Sequence, residues 1–403
     1  MKIWYLSAYD QPNGQSPRTY EFALELTKRG HKVSFFTNSL CHFTKKDQLN
    51  FLELRRIEFI EKIKVIWLKT TPYRGNGITR GINMMTNFIM IFLNGIIIRD
   101  QPDVIIGPSC PIFTGFCGYL LSKIYKVPFV YEVRDVWPDN LVENRGLNKE
   151  GLVYLIFKKI EILLYKRSKF ISSALPFLYD HVRSCNADPN KIIFIPNGID
   201  ISKVNLKENY SGGDSNNLNV LYVGGFSFEH DVESIIRSAH LLQKMNDSRF
   251  KFTIIGDGIN KENCLKLAES FKLRNLIFKD PIKKKFIYDV QSKADILIAS
   301  IKNSNSYRFG LNLNKICTYL ASARPIIISG NPPNDLVKES KGGLSVEAEN
   351  PQQIVTALIN ISLLTPKQRL EMGERGRRYA EKNISIQKLT ERMENMLNKA
   401  IKS

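Results

Sequence analysis

Short apolar runs and helix-spaced apolar positions alternate along most of this 403-residue chain. Lys2–Ser7 is a β-prone run, Pro17–Arg29 has helical spacing with Gly30 as its stop, and His31–Thr37 is strand-like again. The pattern continues with strands at Asp103–Ile106, Phe129–Glu132, Lys169–Ser172 and Ile192–Ile195, and with helices near Thr114–Tyr125 and Leu152–Lys166. A second round starts at Val220–Val223 and a helix over Val232–Gln243. It goes on through strands Phe252–Ile255, Leu276–Phe278, Ala294–Ala299 and Pro325–Ser329, with helices near Lys261–Phe271 and Asn314–Ala323. Such alternation predicts parallel sheets covered by helices on both faces. The restart predicts an α/β chain of two Rossmann-like, doubly wound domains, 1–200 and 201–382, facing each other across a cleft. Ser211–Asn217 (SGGDSNN) is the expected linker. The closing helices, Pro366–Lys382 and Gln387–Lys402, are at liberty to stay with the second domain or, from 383 to 403, to cross back onto the first.

Length alone argues for two cores. With 43% hydrophobic and 24% charged residues the chain is globular rather than disordered. Met1–Leu6 runs straight into Ser7–Asp10, which suits a first strand better than an export signal. The six cysteines are scattered, without a C-x-x-C pair, so neither metal nor disulfide use is expected and a reducing cytoplasm fits. The formal charge of +19, spread over both halves, implies a polyanionic partner: nucleic acid, an acidic membrane surface or phosphorylated substrates. Absence of the aromatic-flanked basic motifs of RNA-binding modules sets nucleic acid aside. Ile82–Ile98 is strongly apolar but about one turn short of a membrane span and carries three asparagines. It is expected to be a core helix; the alternative is a helix resting on a bilayer. Leu152–Lys169, with Lys158, Lys159, Lys166, Arg167 and Lys169, is either a core helix with a solvated basic edge or a surface for an anionic membrane.

The stretch YEVRDVWPDN brings Glu132, Arg134 and Asp135 together at the end of a predicted core strand. Open α/β sheets place their chemistry there, although an exposed turn with an Arg134–Asp135 pair explains the same residues. Gly14 to Arg18, between the first strand and first helix, reads as an ordinary cap or as an anion site built from amides and Arg18. Gly224-Gly225 follows a strand and precedes a helix, presenting amides to a phosphate. Gly256-Asp257-Gly258 is either a plain tight turn or a further contact. Tyr307 to Lys315 leads into a helix starting near Asn314. There a helix dipole, amides, Arg308 and Lys315 suit a diphosphate, a solvated basic loop being the alternative. No D-x-D pair occurs, so a metal-held diphosphate is not expected.

These motifs, with Gly30-His31-Lys32-Val33, R-D-V-W-P at 134–138, Pro196-Asn197-Gly198-Ile199-Asp200 and Asn314-Lys315 through Ala323-Arg324-Pro325, resemble the family-4 retaining glycosyltransferases of the GT-B type over nearly the whole chain. The R-D-x-W-P and G-x-x-x-N-K blocks are similar to the branch containing L-fucosamine (N-acetylfucosamine) transferases of bacterial surface-polysaccharide assembly. The resemblance implies a nucleotide sugar held mainly by the second domain, an acceptor held mainly by the first, retained anomeric configuration, no metal and no cofactor. The family's paired glutamates fall here on Gly310 and Thr318, which shifts phosphate neutralisation onto Lys315 and Arg308. On this basis Asp135, supported by Arg134 and Glu132, is expected to position donor sugar or acceptor. Gly14, Arg18, Gly224, Gly225, Gly256, Gly258, Arg308, Gly310, Asn314, Lys315 and Thr318 are expected to bind substrate. The expected reaction moves an N-acetylated or deoxy amino sugar from a UDP-sugar to an undecaprenyl diphosphate-type lipid-linked acceptor at the cytoplasmic face of the plasma membrane, in O-antigen or capsule assembly. A UDP-N-acetylglucosamine 2-epimerase-type isomerase and a non-catalytic nucleotide-sugar-binding protein are the alternatives.

Overall fold

The structure is a computed structural model; it describes residues 1–12, 18–42, 44–75, 77–98, 100–204, 206, 210–227 and 229–402. Two compact units divide the chain. The first is Met1–Pro196 with Ile386–Ser403, and the second is Asn197–Ser385.

The first unit runs β1 (Lys2–Leu6), α1 (Arg18–Lys28), β2 (Lys32–Asn38), β3 (Arg55–Ile60), β4 (Ile63–Leu68), α2 (Ile78–Ile97), β5 (Val104–Pro108), α3 (Ile112–Tyr125), β6 (Phe129–Val133), α4 (Asp139–Arg145), α5 (Leu152–Arg167), β7 (Phe170–Ser173), α6 (Tyr179–Ser184) and β8 (Ile192–Phe194). Its eight strands lie in the order β3-β4-β2-β1-β5-β6-β7-β8, all parallel except the β3–β4 hairpin. The order reverses between β1 and β5, which makes their carboxyl ends a crevice in an open sheet. One sheet face is closed by α1 and by the helix Ile386–Lys402, whose Ile386, Leu389, Met393, Met396, Leu397 and Ala400 recur at helical spacing and are all buried. Glu394 of that helix meets Arg29 at 3.1 Å and His31 at 2.7 Å. On the opposite face α2, α3 and α5 form one layer, joined by a run of rings from Phe88 through Phe113 to Phe157.

The apolar segment around α2 does not form the expected core helix. Its buried stripe is Arg80, Asn83, Asn87, Ile91 and Asn94, and its exposed stripe is apolar. Hydrogen bonds hold the polar stripe there: Asn83 donates to Thr70 and Thr71, Asn87 to Thr114, and Arg55 donates to Asn94, while the Asn87 oxygen is left without a partner. Among the described residues no helix is long and apolar enough to cross a membrane.

The second unit runs β9 (Leu218–Val223), α7 (Val232–Lys244), β10 (Phe250–Ile255), α8 (Lys261–Ser270), β11 (Leu276–Lys279), α9 (Ile287–Gln291), β12 (Ile296–Ser300), α10 (Asn314–Ala321), β13 (Ile326–Ser329), α11 (Leu336–Ser340), β14 (Gly343–Val346), α12 (Pro351–Leu363) and α13 (Pro366–Tyr379). Its six strands are all parallel, in the order β11-β10-β9-β12-β13-β14, and reverse between β9 and β12. The expected linker Ser211–Asn217 is instead a fixed part of this unit. The buried Arg369 guanidinium donates to the carbonyls of Gly212 and Gly213, at 2.6 and 2.8 Å, and so pins the run to α13.

Candidate functional site

In the first unit the carboxyl ends of β1, β5 and β6 converge on one buried carboxylate. Glu132, the fourth residue of β6, has no exposed surface; Tyr5 donates to it at 2.9 Å, Arg18 at 3.0 Å and Arg134 at 3.0 Å. Burial alone would raise its pKa, but Arg134 and Arg18 hold the carboxyl below the ordinary glutamate range. Arg134 also meets Asp10 at 2.9 Å, and Asp10 accepts from the backbone of Thr19 at 2.8 Å at the start of α1. The rest of the Arg18 guanidinium donates to the carbonyls of Ile195 and Pro196, at 2.6 and 2.5 Å.

This geometry corrects one expectation and gives two further residues their place. Arg18 is buried and braces β6 against the chain after β8, rather than meeting a substrate phosphate. Glu132 has no surface with which to touch a substrate, and Arg134 is tied to Glu132 and Asp10. Both act as positioning residues. The local Arg134–Asp135 pair is also set aside, since Arg134 turns inward while Asp135 is exposed. Ser109, just past β5, fixes Asp135: its hydroxyl donates to the Asp135 carbonyl at 2.9 Å and accepts from the Arg134 amide at 3.1 Å. The Cys110 thiol lies 3.5 Å from the Asp135 carboxylate, and burial followed by that carboxylate pushes the thiol pKa well up. Asp135 is therefore a carboxylate held on the sheet's carboxyl edge by a rigid buried base. Gly14 lies outside the described residues.

The carboxyl edge of this sheet also carries a group that the motifs did not single out. Tyr9, His42, Tyr73 and Arg80 come together there, with His42 stacked on Tyr73, Arg80 donating to Tyr9 at 3.1 Å and Lys45 3.7 Å above the Tyr73 ring. Four separate loops and helix starts supply them, so no local spacing marks the group.

In the second unit Lys315 is the centre. It sits in the first turn of α10, and no side chain caps that helix start. Its ammonium lies 2.9 Å from the Tyr222 hydroxyl and 4.2 Å above that ring. Burial lowers its pKa to about 7. Tyr222 in turn donates to the Gly225 carbonyl at 2.7 Å, which also accepts from Nδ1 of His230 at 2.9 Å. Burial, and then the Lys315 charge, bring His230 down to about 4, so at neutral pH its Nδ1 carries the proton and its Nε2 accepts. Gly224 and Gly225 thus form a turn directly beside a partly buried cation and a helix N-terminus, an arrangement suited to a phosphate. A Cβ on Gly224 would stand 2.6 Å from the Lys315 nitrogen. Asn314 is exposed at the same helix start.

The other expected contacts have different places. Gly256 and Gly258 form the support of the Gly224 turn: a Cβ on Gly256 would lie 1.8 Å from the Gly224 oxygen, and one on Gly258 2.7 Å from the Phe226 oxygen. Thr318 is turned into its own helix, donating to the Lys315 carbonyl at 2.9 Å and accepting from Gln291 at 3.0 Å. Arg308 is exposed on the turn before α10, over the Phe309 ring. Gly310 is buried at φ +115°, where a side chain is strained. One trio, Glu161, His181 and Cys185, has atoms close enough to share a cation. That position already holds positive charge. Lys158 is 2.7 Å from Glu161, and although burial opposes it, bonds to Cys185 and Glu161 carry His181 up to about 9.

Two doubly wound units of this kind make the GT-B fold. The model of Glycosyltransferase Family 4 matches residues 12–203, and that of Glycosyl transferases group 1 matches residues 217–362. The chain belongs to the family-4 glycosyltransferases and is a glycosyltransferase enzyme. Comparison with curated protein sequences found no match. Solved structures share the fold at low identity. Sucrose-phosphate synthase from Thermosynechococcus elongatus has a TM-score of 0.75 at 13% identity, over 99% of this chain and 98% of that one. HepE from Anabaena, in complex with UDP, has a TM-score of 0.71 at 12% identity, over 99% and 100%. WaaG, described as a glycosyltransferase involved in lipopolysaccharide biosynthesis, has a TM-score of 0.67 at 14% identity, over 98% and 99%.

Proposed function

We propose that this glycosyltransferase moves an N-acetylated or deoxy amino sugar from a UDP-sugar to a lipid-linked saccharide at the inner face of the plasma membrane, in the manner of the L-fucosamine transferase branch. The observation that carries the reading is Lys315: a cation lowered by burial, at an uncapped helix start, beside a glycine turn. HepE has been solved with UDP, with UDP and glucose and with UDP-glucose, which supports a UDP-sugar as donor. The part of WaaG in lipopolysaccharide biosynthesis supports a lipid-linked surface saccharide as acceptor.

The acceptor oxygen bonds to the anomeric carbon as that carbon's bond to the diphosphate breaks on the same face, and the acceptor's proton passes to the departing phosphate oxygen. Negative charge grows on the diphosphate. The Gly225 amide, the start of α10 and Lys315 stabilise it, the Gly224 amide being held by the Ile255 carbonyl, and no step calls for a metal. Asp135 orients the acceptor saccharide or donor sugar from its Ser109-fixed base.

The test is a melting experiment with nucleotide sugars followed by a transfer assay. UDP-sugars at 100 times their dissociation constant should stabilise the protein by about 2.7 kcal/mol, and GDP- or CMP-sugars should not. Failure of every UDP-sugar to shift the melt, or product of inverted configuration, would remove the reading. Gly224→Ala provides a finer check. Its added methyl displaces a flexible ammonium rather than backbone, so calorimetry should find UDP affinity reduced about tenfold, roughly 1.4 kcal/mol, at an almost unchanged melting temperature.

A further inference from the structure

The outer side of α2 has the wrong polarity for a helix facing water. Ile78, Ile82, Met85, Ile89, Leu93 and Ile96 are between 41 and 85% exposed and follow one another at three- and four-residue steps. At 1.5 Å per residue the stripe is about 27 Å long. From Ile82 to Ile97 every exposed α2 residue is Ile, Met or Leu, and the only ionisable side chain of the helix, Arg80, is buried. The apolar surface continues at both flanks. The Tyr125 hydroxyl donates to the Gly95 carbonyl, which places the exposed Ile124 at the last turn of α2. Arg55 donates to Asn94, which puts the alternate residues Ile57 and Phe59 of the edge strand on the same sheet face.

We infer that this face is a docking surface for an anionic lipid bilayer, with α2 lying in the interface plane and its isoleucines among the acyl chains. The inference rests on the proposed lipid-linked acceptor and adds the element that meets its membrane. Two observations favour lipid over protein as the occupant. From Ile82 onward the stripe exposes no side-chain donor or acceptor, so nothing in it would give a protein partner a register, whereas fluid chains require none. Cations also rim it. Lys123 and Lys126 are exposed on either side of Ile124, Arg55 is exposed beside Asn94, and Arg74 is exposed ahead of the helix. Of the carboxylates in the neighbouring segments, Glu53 is paired with Arg56 and Asp100 with Lys2 and Lys64, while Glu58 accepts from the Trp67 ring nitrogen and Glu61 is exposed in the β3–β4 turn. The local balance is thus positive around an uncharged apolar centre, which complements acidic headgroups.

The experiment is co-sedimentation of the full chain with phosphatidylcholine vesicles, with and without phosphatidylglycerol, comparing wild type with Ile89→Asp/Leu93→Asp. Wild type should sediment with the anionic vesicles. The variant should bind at least tenfold more weakly, because each large apolar side chain withdrawn from the bilayer is worth about that factor or more. The two positions are already exposed, so the variant should keep the wild-type melting temperature and its transfer to a short-chain, water-soluble acceptor. Lys123→Glu/Lys126→Glu should lose the preference for anionic vesicles. Equal sedimentation of wild type and the double aspartate variant, or wild type remaining in the supernatant with both vesicle types, overturns the inference. So does a wild-type dimer that the variant converts to monomer, which would give the face to a second copy. Wild type that stays off vesicles yet glycosylates a lipid-linked acceptor sinks this inference alone. Wild type that binds vesicles but transfers to no lipid-linked acceptor sinks the proposed function and leaves the docking surface standing.

Discussion

Lys315→Ala is expected to lower kcat by 10²–10³-fold and to weaken UDP binding, because each donor aimed at a developing oxyanion contributes on that order. Single-turnover kinetics and a UDP titration check it together, and unchanged values in both would exclude Lys315 from the leaving-group site. The pH dependence gives the sign independently. Lys315 is cationic below its pKa of about 7, and a bound diphosphate favours the ammonium, so that pKa rises on binding. UDP affinity is therefore full below about pH 7 and falls above it, by up to tenfold per unit, until the higher pKa of the complex is reached. Stability of the empty protein runs the other way. The unfolded chain holds the Lys315 proton up to about 10.4, so between about pH 7 and 10.4 it binds more protons than the fold does, and the fold gains stability as pH rises. Lys315→Met should flatten both profiles.

Glu132→Gln is the second large effect, and it acts on stability. The substitution keeps the shape of the side chain but leaves the buried Arg18 without a carboxylate and the half-buried Arg134 with Asp10 alone, which costs about 3–5 kcal/mol. All three tryptophans, Trp4, Trp67 and Trp137, lie in the first unit, so urea unfolding followed by tryptophan fluorescence reads the effect there. Because the folded pKa of Glu132 is lowered, its contribution is present above the unfolded value of about 4.3 and is lost as pH falls through the folded one. The gap between variant and wild type should therefore be full at pH 7 and should shrink in acid below about pH 4. A variant as stable as wild type at pH 7 would mean the two arginines find other partners.

Most strands of both sheets were legible because they are covered on both faces and read as unbroken apolar runs, as at Val104–Pro108 and Ile296–Ser300, whereas the half-exposed β14 was not. The β3–β4 hairpin was not, since Arg55–Ile60 is a half-exposed edge strand that mixes charge with apolar residues. For α2 the sequence conveyed a helix but not its orientation. Two stripes of equal period are present, and composition assigned the apolar one to the core, whereas Thr70, Thr114 and Arg55 claim the asparagines. Within the site, Lys315 and Gly224 stood out because a strand–glycine–helix order is local. Tyr222 did not, because its bond to Lys315 spans 93 positions. Arg18 misled for the same reason: at a helix start it resembles an anion ligand, and its partner Glu132 lies 114 residues away.

The helix Ile386–Lys402 closes a sheet whose strands all precede residue 195. On the ribosome, the first unit must therefore wait for the whole second unit to be made before Phe22, Leu26 and Val33 gain their cover from Leu389 and Met393. During that interval a greasy sheet face is open, which makes the nascent chain a client for chaperones and makes any lesion in the last helix a defect of the opposite end of the polypeptide.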